Sequence, residues 1–359
     1  MNLKQNYFRP EVTEMAGYVP GEQPKIPNIL KLNTNENPYS PSPLVAAMLR
    51  NYDIDLLRRY PDPRADELCA AAARLHGFTR EEVIAGNGSD DILTMIFRCF
   101  TDKERGMSYL YPSYSLYQSL ADIQGCPVTR IPLNPETFEL PDNLLEQARG
   151  SNLLIITRPN APTGKSYPHE VMNEICARFD GIVVFDEAYV DFSMDSCLDL
   201  AKEFDNVLVT RTLSKSYSLA GLRLGFAYGS RKLIGGMYKV KDSYNVDRLA
   251  QLIGATAIAD QAWMRNNVKM IRATRTRMIE ELRQMDFKVV DSETNFVLAS
   301  PPDGDAKKFF DALRGEAIIV RYFPEPPTTQ YIRITVGTDE EIDRLLDFTA
   351  NYLGVKRKQ

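Results

Sequence analysis

A succession of short apolar runs constrains this chain most: MSYLY at 107–111, NLLIITR at 152–158, IVVFDE at 182–187, VLVTRT at 207–212 and LRLGFAYG at 222–229. Runs this short, set between helical and turn-rich segments, read as strands buried on both faces of a mainly parallel sheet with helices on either side. In such α/β sheets ligands sit at the carboxyl ends of the strands, so the polar residues that close each run become the candidates. Ahead of these runs the spacing predicts a helix over 63–76, a short strand over 83–85, a glycine turn and a second helix over 89–100.

The 359 residues exceed what one domain usually holds. Residues 1–45, rich in Pro, Asn and Gly, read as an extended arm packing with a smaller domain. Residues 46–245 carry the strand and helix alternation of a large domain. From 246 to 359 a long polar helical stretch, 246–285, leads into a smaller α+β domain.

Composition removes several function classes. A net charge of -5 and a pI near 5.4 argue against nucleic-acid and membrane-surface binding. The one basic run, Lys356-Arg357-Lys358, reads as a solvated tail. No stretch approaches the roughly 20 apolar residues of a bilayer span, and the N-terminus lacks the apolar core of a signal peptide. Five scattered cysteines without a CxxC pair suggest neither a metal site nor a disulfide framework, which fits a reducing cytoplasm. With only His76 and His169 present, each expected at a helix surface or boundary, a Ser-His-Asp triad or multi-histidine metal site is not expected. Another group must move protons.

Four motifs fall at strand ends. GNGSDD at 86–91 feeds a glycine turn into a helix that starts at Ser89, Asp90 and Asp91, whose free N–H groups suit a phosphate; read alone, it is an ordinary N-cap turn. RPNAPTGK at 158–165 is a proline-stiffened turn presenting Asn160 and Thr163. VVFDEAYVDF at 183–192 ends an apolar strand on Asp186, a carboxylate that needs a cation if buried, or else merely caps a helix. TRTLSKSYSLAGLRLGF at 210–226 places Lys215 between apolar runs, beside Ser214 and near Arg223, where partial desolvation would free its amine.

In this order, together with GYVPGEQP, LNTNENPY, RYPDP, YPSY and YIRITVGT, the motifs resemble the fold type I pyridoxal 5′-phosphate (PLP) enzymes and, within them, the histidinol-phosphate aminotransferases, nearly end to end. The resemblance implies Lys215 as Schiff-base lysine and proton shuttle, Asp186 opposite the pyridine nitrogen, Tyr189 at the ring O3′ and Tyr114 stacked on the ring. It implies Gly88, Ser89, Ser214 and Arg223 around the cofactor phosphate, with Tyr60 reaching that phosphate from the second subunit of a homodimer, and Asp90 and Asn160 among the further cofactor-binding residues. Tyr18, Asn35, Arg321 and Arg333 form the implied substrate end. One departure stands out: Ala161 occupies the position of the family's O3′-binding asparagine, so that either Asn160, one residue earlier, substitutes for it or Tyr189 acts alone.

The implied reaction exchanges the amino group of histidinol phosphate with 2-oxoglutarate, yielding imidazole-acetol phosphate and glutamate in histidine biosynthesis. A PLP-dependent decarboxylase of threonine phosphate and an aromatic amino acid aminotransferase are the alternative enzymes. A nucleotide-binding module using GNGSDD is disfavoured, because the segment lacks the lysine of a GxxxxGK[ST] loop.

Overall fold

A computed structural model describes residues 7–25 and 27–357. Its centre is a seven-stranded sheet: β1 (Val83–Gly86), β2 (Gly106–Tyr111), β3 (Val128–Pro132), β4 (Ser151–Thr157), β5 (Ile182–Asp186), β6 (Val207–Thr212) and β7 (Gly225–Gly229), in the spatial order β1-β7-β6-β5-β4-β2-β3. Only β7 runs against its neighbours, so the sheet is mainly parallel as expected. Both faces are covered. Leu154, Ile156, Val183 and Phe185 point into one apolar core, while Leu153, Ile155 and Val184 point into another, which explains why these strands are continuously apolar rather than alternating.

The first core also holds helix α1 (Asp66–His76), and the second holds α2 (Ser89–Phe100) and α3 (Leu116–Gln124). The expected helix over 63–76 begins only at Asp66, because the Asp62 carboxylate accepts from the Arg64 and Asp66 amides and Ala65 takes a left-handed turn. The apolar run at 222–229 is a strand only from Gly225. Ahead of it Ala220–Leu222 forms a tight 3-10 turn and Arg223 adopts φ +55°.

The helical stretch over 246–285 is two helices, α4 (Arg248–Ala259) and α5 (Gln261–Gln284). The break is at Asp260, whose carboxylate accepts from the Trp263 amide and caps α5. Packing divides later than residue 245: Ala250, Ile253 and Ala257 of α4 and Val268 and Ile271 of α5 belong to the first core. Met278 and Leu282 belong to a third core, shared with the antiparallel sheet of β8 (Lys288–Val289), β9 (Phe296–Ser300), β10 (Arg321–Tyr322) and β11 (Ile332–Thr335), and with α6 (Asp339–Leu353). One long helix therefore spans both cores.

The N-terminal arm serves both halves. Leu30–Lys31 pairs in parallel with Ile318–Ile319 of the smaller unit. Its short helix Pro10–Glu14 instead lies on the large unit, where Arg9 donates to the Ile123 carbonyl at 3.0 Å. Of the basic C-terminal run, Lys358 lies outside the described residues. Arg357 is no solvated tail, because it folds back onto Glu281, Asp343 and Asp347. The two histidines sit at helix ends, His76 closing α1 and His169 opening the helix His169–Arg178, and burial holds His76 neutral with its pKa lowered to about 3.

Candidate active site

The turn from β1 into α2 requires glycine twice. Gly88 has φ +88°, and a side chain there would meet Arg223 Nη2 at 2.5 Å. A side chain on Gly225 would meet the Ser89 amide at 2.5 Å, so β7 and the helix start lie backbone to backbone. No side chain caps the first turn of α2. Around its free N–H groups stand Arg223, which donates to Asp90 Oδ2 at 3.1 Å and to Ser214 Oγ at 3.4 Å, and Ser214, whose hydroxyl accepts from Thr212 at 2.9 Å. A helix N-terminus, a guanidinium and a hydroxyl converge on one point, which is the chemistry of an anion cradle.

Asp186 ends β5 and is 3% exposed. It accepts from the Tyr117 hydroxyl at 2.6 Å, the Thr210 hydroxyl at 3.1 Å and the Ala188 amide at 3.3 Å. Among the described residues it makes no ion pair, and burial pushes its pKa up against the pull of these donors. Beside it the Tyr189 hydroxyl accepts from the Asn35 amide at 2.9 Å. Asn35 is itself fixed at φ +56° by Thr335 and Asn295.

Lys215 is half-buried and its Nζ donates to the Thr34 carbonyl at 3.3 Å, 5.6 Å above the Tyr189 ring. The carbonyls of Lys215 and Ser216 both accept from the Asn37 amide, at 3.0 and 3.1 Å, so the NENPY segment holds the lysine's backbone from across the cleft. At the far end Arg333 donates to the Asn33 carbonyl at 3.1 Å and lies over the rings of Phe296 and Phe323, at 5.1 and 5.4 Å. Its Nε is buried without an acceptor, and burial lowers its pKa.

These groups face one cavity of about 790 Å³. Tyr18, Asn35, Ser89, Asp90, Tyr114, Asp186, Tyr189, Ser214, Lys215, Arg223, Arg321 and Arg333 all line it, with Gly88 directly behind the cradle. Tyr114 meets Tyr18 edge-on at 5.9 Å and donates to Asp90 at 3.1 Å. Two candidates lie elsewhere. Tyr60 is 77% exposed and stacks on Tyr244 at 4.5 Å, outside its own chain's cavity. Asn160 does not line the cavity, and its position corrects the expectation that it stands in for the asparagine replaced by Ala161. Its amide hydrogens are committed to the Pro112 carbonyl at 3.1 Å and Thr163 Oγ1 at 2.9 Å, its oxygen accepts from Ser113 at 3.2 Å, and Ala161 is the cavity-facing residue.

Sequence reasoning missed Tyr117, Thr210, Thr157 and Asn37. A signal for Thr210 existed in principle, since strand register sets it directly opposite Asp186. Tyr117 stands one helical turn after Tyr114 in YPSYSLY, on the face turned to the sheet.

A half-buried lysine just past one strand end and an unpaired buried aspartate at the end of the neighbouring strand, with an anion cradle beside them, face one cavity. A profile for aminotransferase class I and II matches residues 27–348, and the chain belongs to that family. Within it the chain groups with the histidinol-phosphate aminotransferases. Histidinol-phosphate aminotransferase 1 of Trichormus variabilis is 45% identical over 337 residues, 94% of this chain and 96% of the relative. The histidinol-phosphate aminotransferase of Syntrophotalea carbinolica is 45% identical over 342 residues, 95% of this chain and 98% of the relative. The crystal structure of histidinol-phosphate aminotransferase from Sinorhizobium meliloti in complex with pyridoxal-5′-phosphate shares the fold, with a TM-score of 0.88 over 98% of each chain at 23% identity.

Proposed function

We propose that the chain transfers an amino group between L-histidinol phosphate and 2-oxoglutarate, giving imidazole-acetol phosphate and glutamate, with PLP as cofactor. The observation that carries this reading is the Asp186 carboxylate, buried in the cavity with no cation among the described residues beside it. The residues fit PLP: its ring nitrogen supplies the missing cation for Asp186, its phosphate suits the cradle of Ser89, Ser214 and Arg223, and its aldehyde suits Lys215. When bound, PLP provides an aldehyde that captures amino groups and a cationic ring that withdraws electrons from the substrate carbon.

The chain's own residues do the rest. Lys215 would serve as general acid and base at the substrate carbon, the role that histidine cannot take here. Asn35 aims its amide at Tyr189 Oη and so turns that hydroxyl's proton toward the cavity, where it stabilises negative oxygen. Arg333 and Arg321 offer guanidinium groups to a phosphate monoester in one half-reaction and to a carboxylate in the other. Tyr18, at the cavity mouth against Tyr114, excludes water from the substrate end.

A homodimer with shared sites is supported by Tyr60, exposed beside the exposed apolar residues Ile54 and Leu57, where a second copy would bury all three. A cytoplasmic location is supported by five unpaired cysteines. No helix among the described residues is long and apolar enough to cross a membrane. Purified protein incubated with histidinol phosphate and 2-oxoglutarate should form glutamate, whereas threonine phosphate should release no carbon dioxide. The reverse pattern would replace this reading with the decarboxylase.

A further inference from the structure

A buried carboxylate adopts its charged form only when donors or cations compensate the lost water. Each oxygen of Asp186 has one side-chain donor, Tyr117 at Oδ2 and Thr210 at Oδ1. Tyr117 is completely buried and wedged edge-on between Tyr109 at 5.8 Å and Tyr114 at 5.7 Å, so its hydroxyl cannot swing away. With its proton given to Asp186, the phenol oxygen is an acceptor 2.7 Å from Thr157 Oγ1, whose hydroxyl also lies 2.9 Å from Ser113 Oγ. A proton donated along this row of hydroxyls toward Asp186 strengthens the final, charged bond.

We infer that Tyr117 is a positioning residue for the transamination: backed by Thr157, its hydroxyl holds Asp186 in one orientation and in its anionic form, ready for the cationic ring nitrogen of the cofactor. The inference rests on the reading of the cavity as a PLP site. The titratable groups that face Asp186 are Tyr117 from α3 and Asp90 from α2, the latter paired with Arg223; Lys215 and Tyr189 line the same cavity. Asp90 opposes the charge on Asp186, which leaves Tyr117 and Thr210 as the side chains that favour it.

The test uses the apoprotein and 4′-deoxypyridoxine 5′-phosphate, a cofactor analogue without the aldehyde, so that binding reports Asp186 and the cradle independently of turnover. Titration calorimetry over a range of pH should show affinity falling on the acid side as Asp186 takes up a proton. Tyr117→Phe keeps the ring and loses only the donor; it should bind roughly ten-fold more weakly near neutral pH, and its acid-side midpoint should move to higher pH. Thr157→Val should move the midpoint the same way and carries the reading alone if the phenylalanine variant fails to fold. Equal weakening at every pH, with the midpoint unmoved, would assign Tyr117 a purely structural role and overturn the inference alone. Failure of the unaltered protein to bind the analogue would overturn the cofactor reading and this inference with it.

Discussion

Arg333→Leu should lower activity by about two orders of magnitude without destabilising the protein. The arginine is half-buried, makes no ion pair among the described residues, and has a buried Nε with no acceptor. Taking a cation this far from water costs up to several kcal/mol. Against that stand one hydrogen bond to the Asn33 carbonyl and two flanking rings, together about 2–5 kcal/mol. The terms nearly cancel. Because burial depresses its proton affinity in the fold, the charged arginine opposes folding at every pH below its folded pKa, neutral pH included. Leucine keeps apolar bulk against Phe296 and removes the charge, so the thermal midpoint of the ligand-free protein should stay within a few degrees of the original or rise. In the reaction, the same guanidinium is proposed to meet both anionic substrates, and its loss should lower kcat/KM by about 100-fold, about 2.7 kcal/mol, in each half-reaction. Stopped-flow single turnovers with histidinol phosphate and with 2-oxoglutarate separate the two. A loss confined to one half would refute the shared role, and a marked drop in the midpoint would refute the accounting of the buried charge.

Lys215→Ala should lose both turnover and the visible absorption of the covalently held cofactor, measured on protein reconstituted with PLP; retained turnover would remove the lysine from the mechanism. Inactive Tyr60→Ala mixed with inactive Lys215→Ala should regain part of the activity once subunits exchange, and exchanged mixtures that stay inactive would disprove the shared site. Asn160→Ala should leave the pH titration of the visible band unchanged while lowering stability by about 1–3 kcal/mol, since its amide serves the turn rather than the cavity. A shifted titration would return Asn160 to the site. Arg357→Ala should destabilise at neutral pH and lose that difference in acid, because hydrogen bonds from Arg357 and Arg277 hold Glu281 and Asp343 below their ordinary pKa values, a contribution present above those values and lost as pH falls through the lowered ones. Acid melts that stay apart at the lowest pH would contradict it.

Legibility followed the range of the interactions. Strand β6 spans the run read for it, 207–212, and α2 spans 89–100 as read, because burial and capping signals there are local. The run at 222–229 overshot because Leu224 is apolar for burial in the core, not for extension. Asp260 was invisible as a break because apolar positions recur on both sides of it, so the capping carboxylate looked like one more polar face residue. Asn160 was misread for a longer-range reason: its amide is satisfied by Pro112, 48 residues away, and nothing in RPNAPTGK announces that partner. Tyr117 was missed likewise, since its partner Asp186 lies 69 residues on and only the packing of α3 against the sheet brings the two together.

What these residues share is charge the polypeptide leaves uncompensated. Asp186 is anionic chemistry without a cation, and Arg333 and Lys215 are cations that form no ion pair among the described residues, Glu36 acting on Lys215 only from a distance. An isolated chain gains nothing from that arrangement, since each group would be more stable in water or in a pair. The arrangement becomes favourable when a cofactor with a cationic ring and a carbonyl meets Asp186 and Lys215 and an anionic substrate meets Arg333. The surrounding donors, Tyr117 and Thr210 on Asp186, Asn35 on Tyr189 and Asn37 on the Lys215 backbone, keep the charges aimed in the meantime, so little reorganisation remains when the ligand arrives. On that view the site's cost in folding stability and its catalytic capacity have one origin. Substitutions that remove an uncompensated charge should separate the two, whereas substitutions of the neutral donors should weaken both.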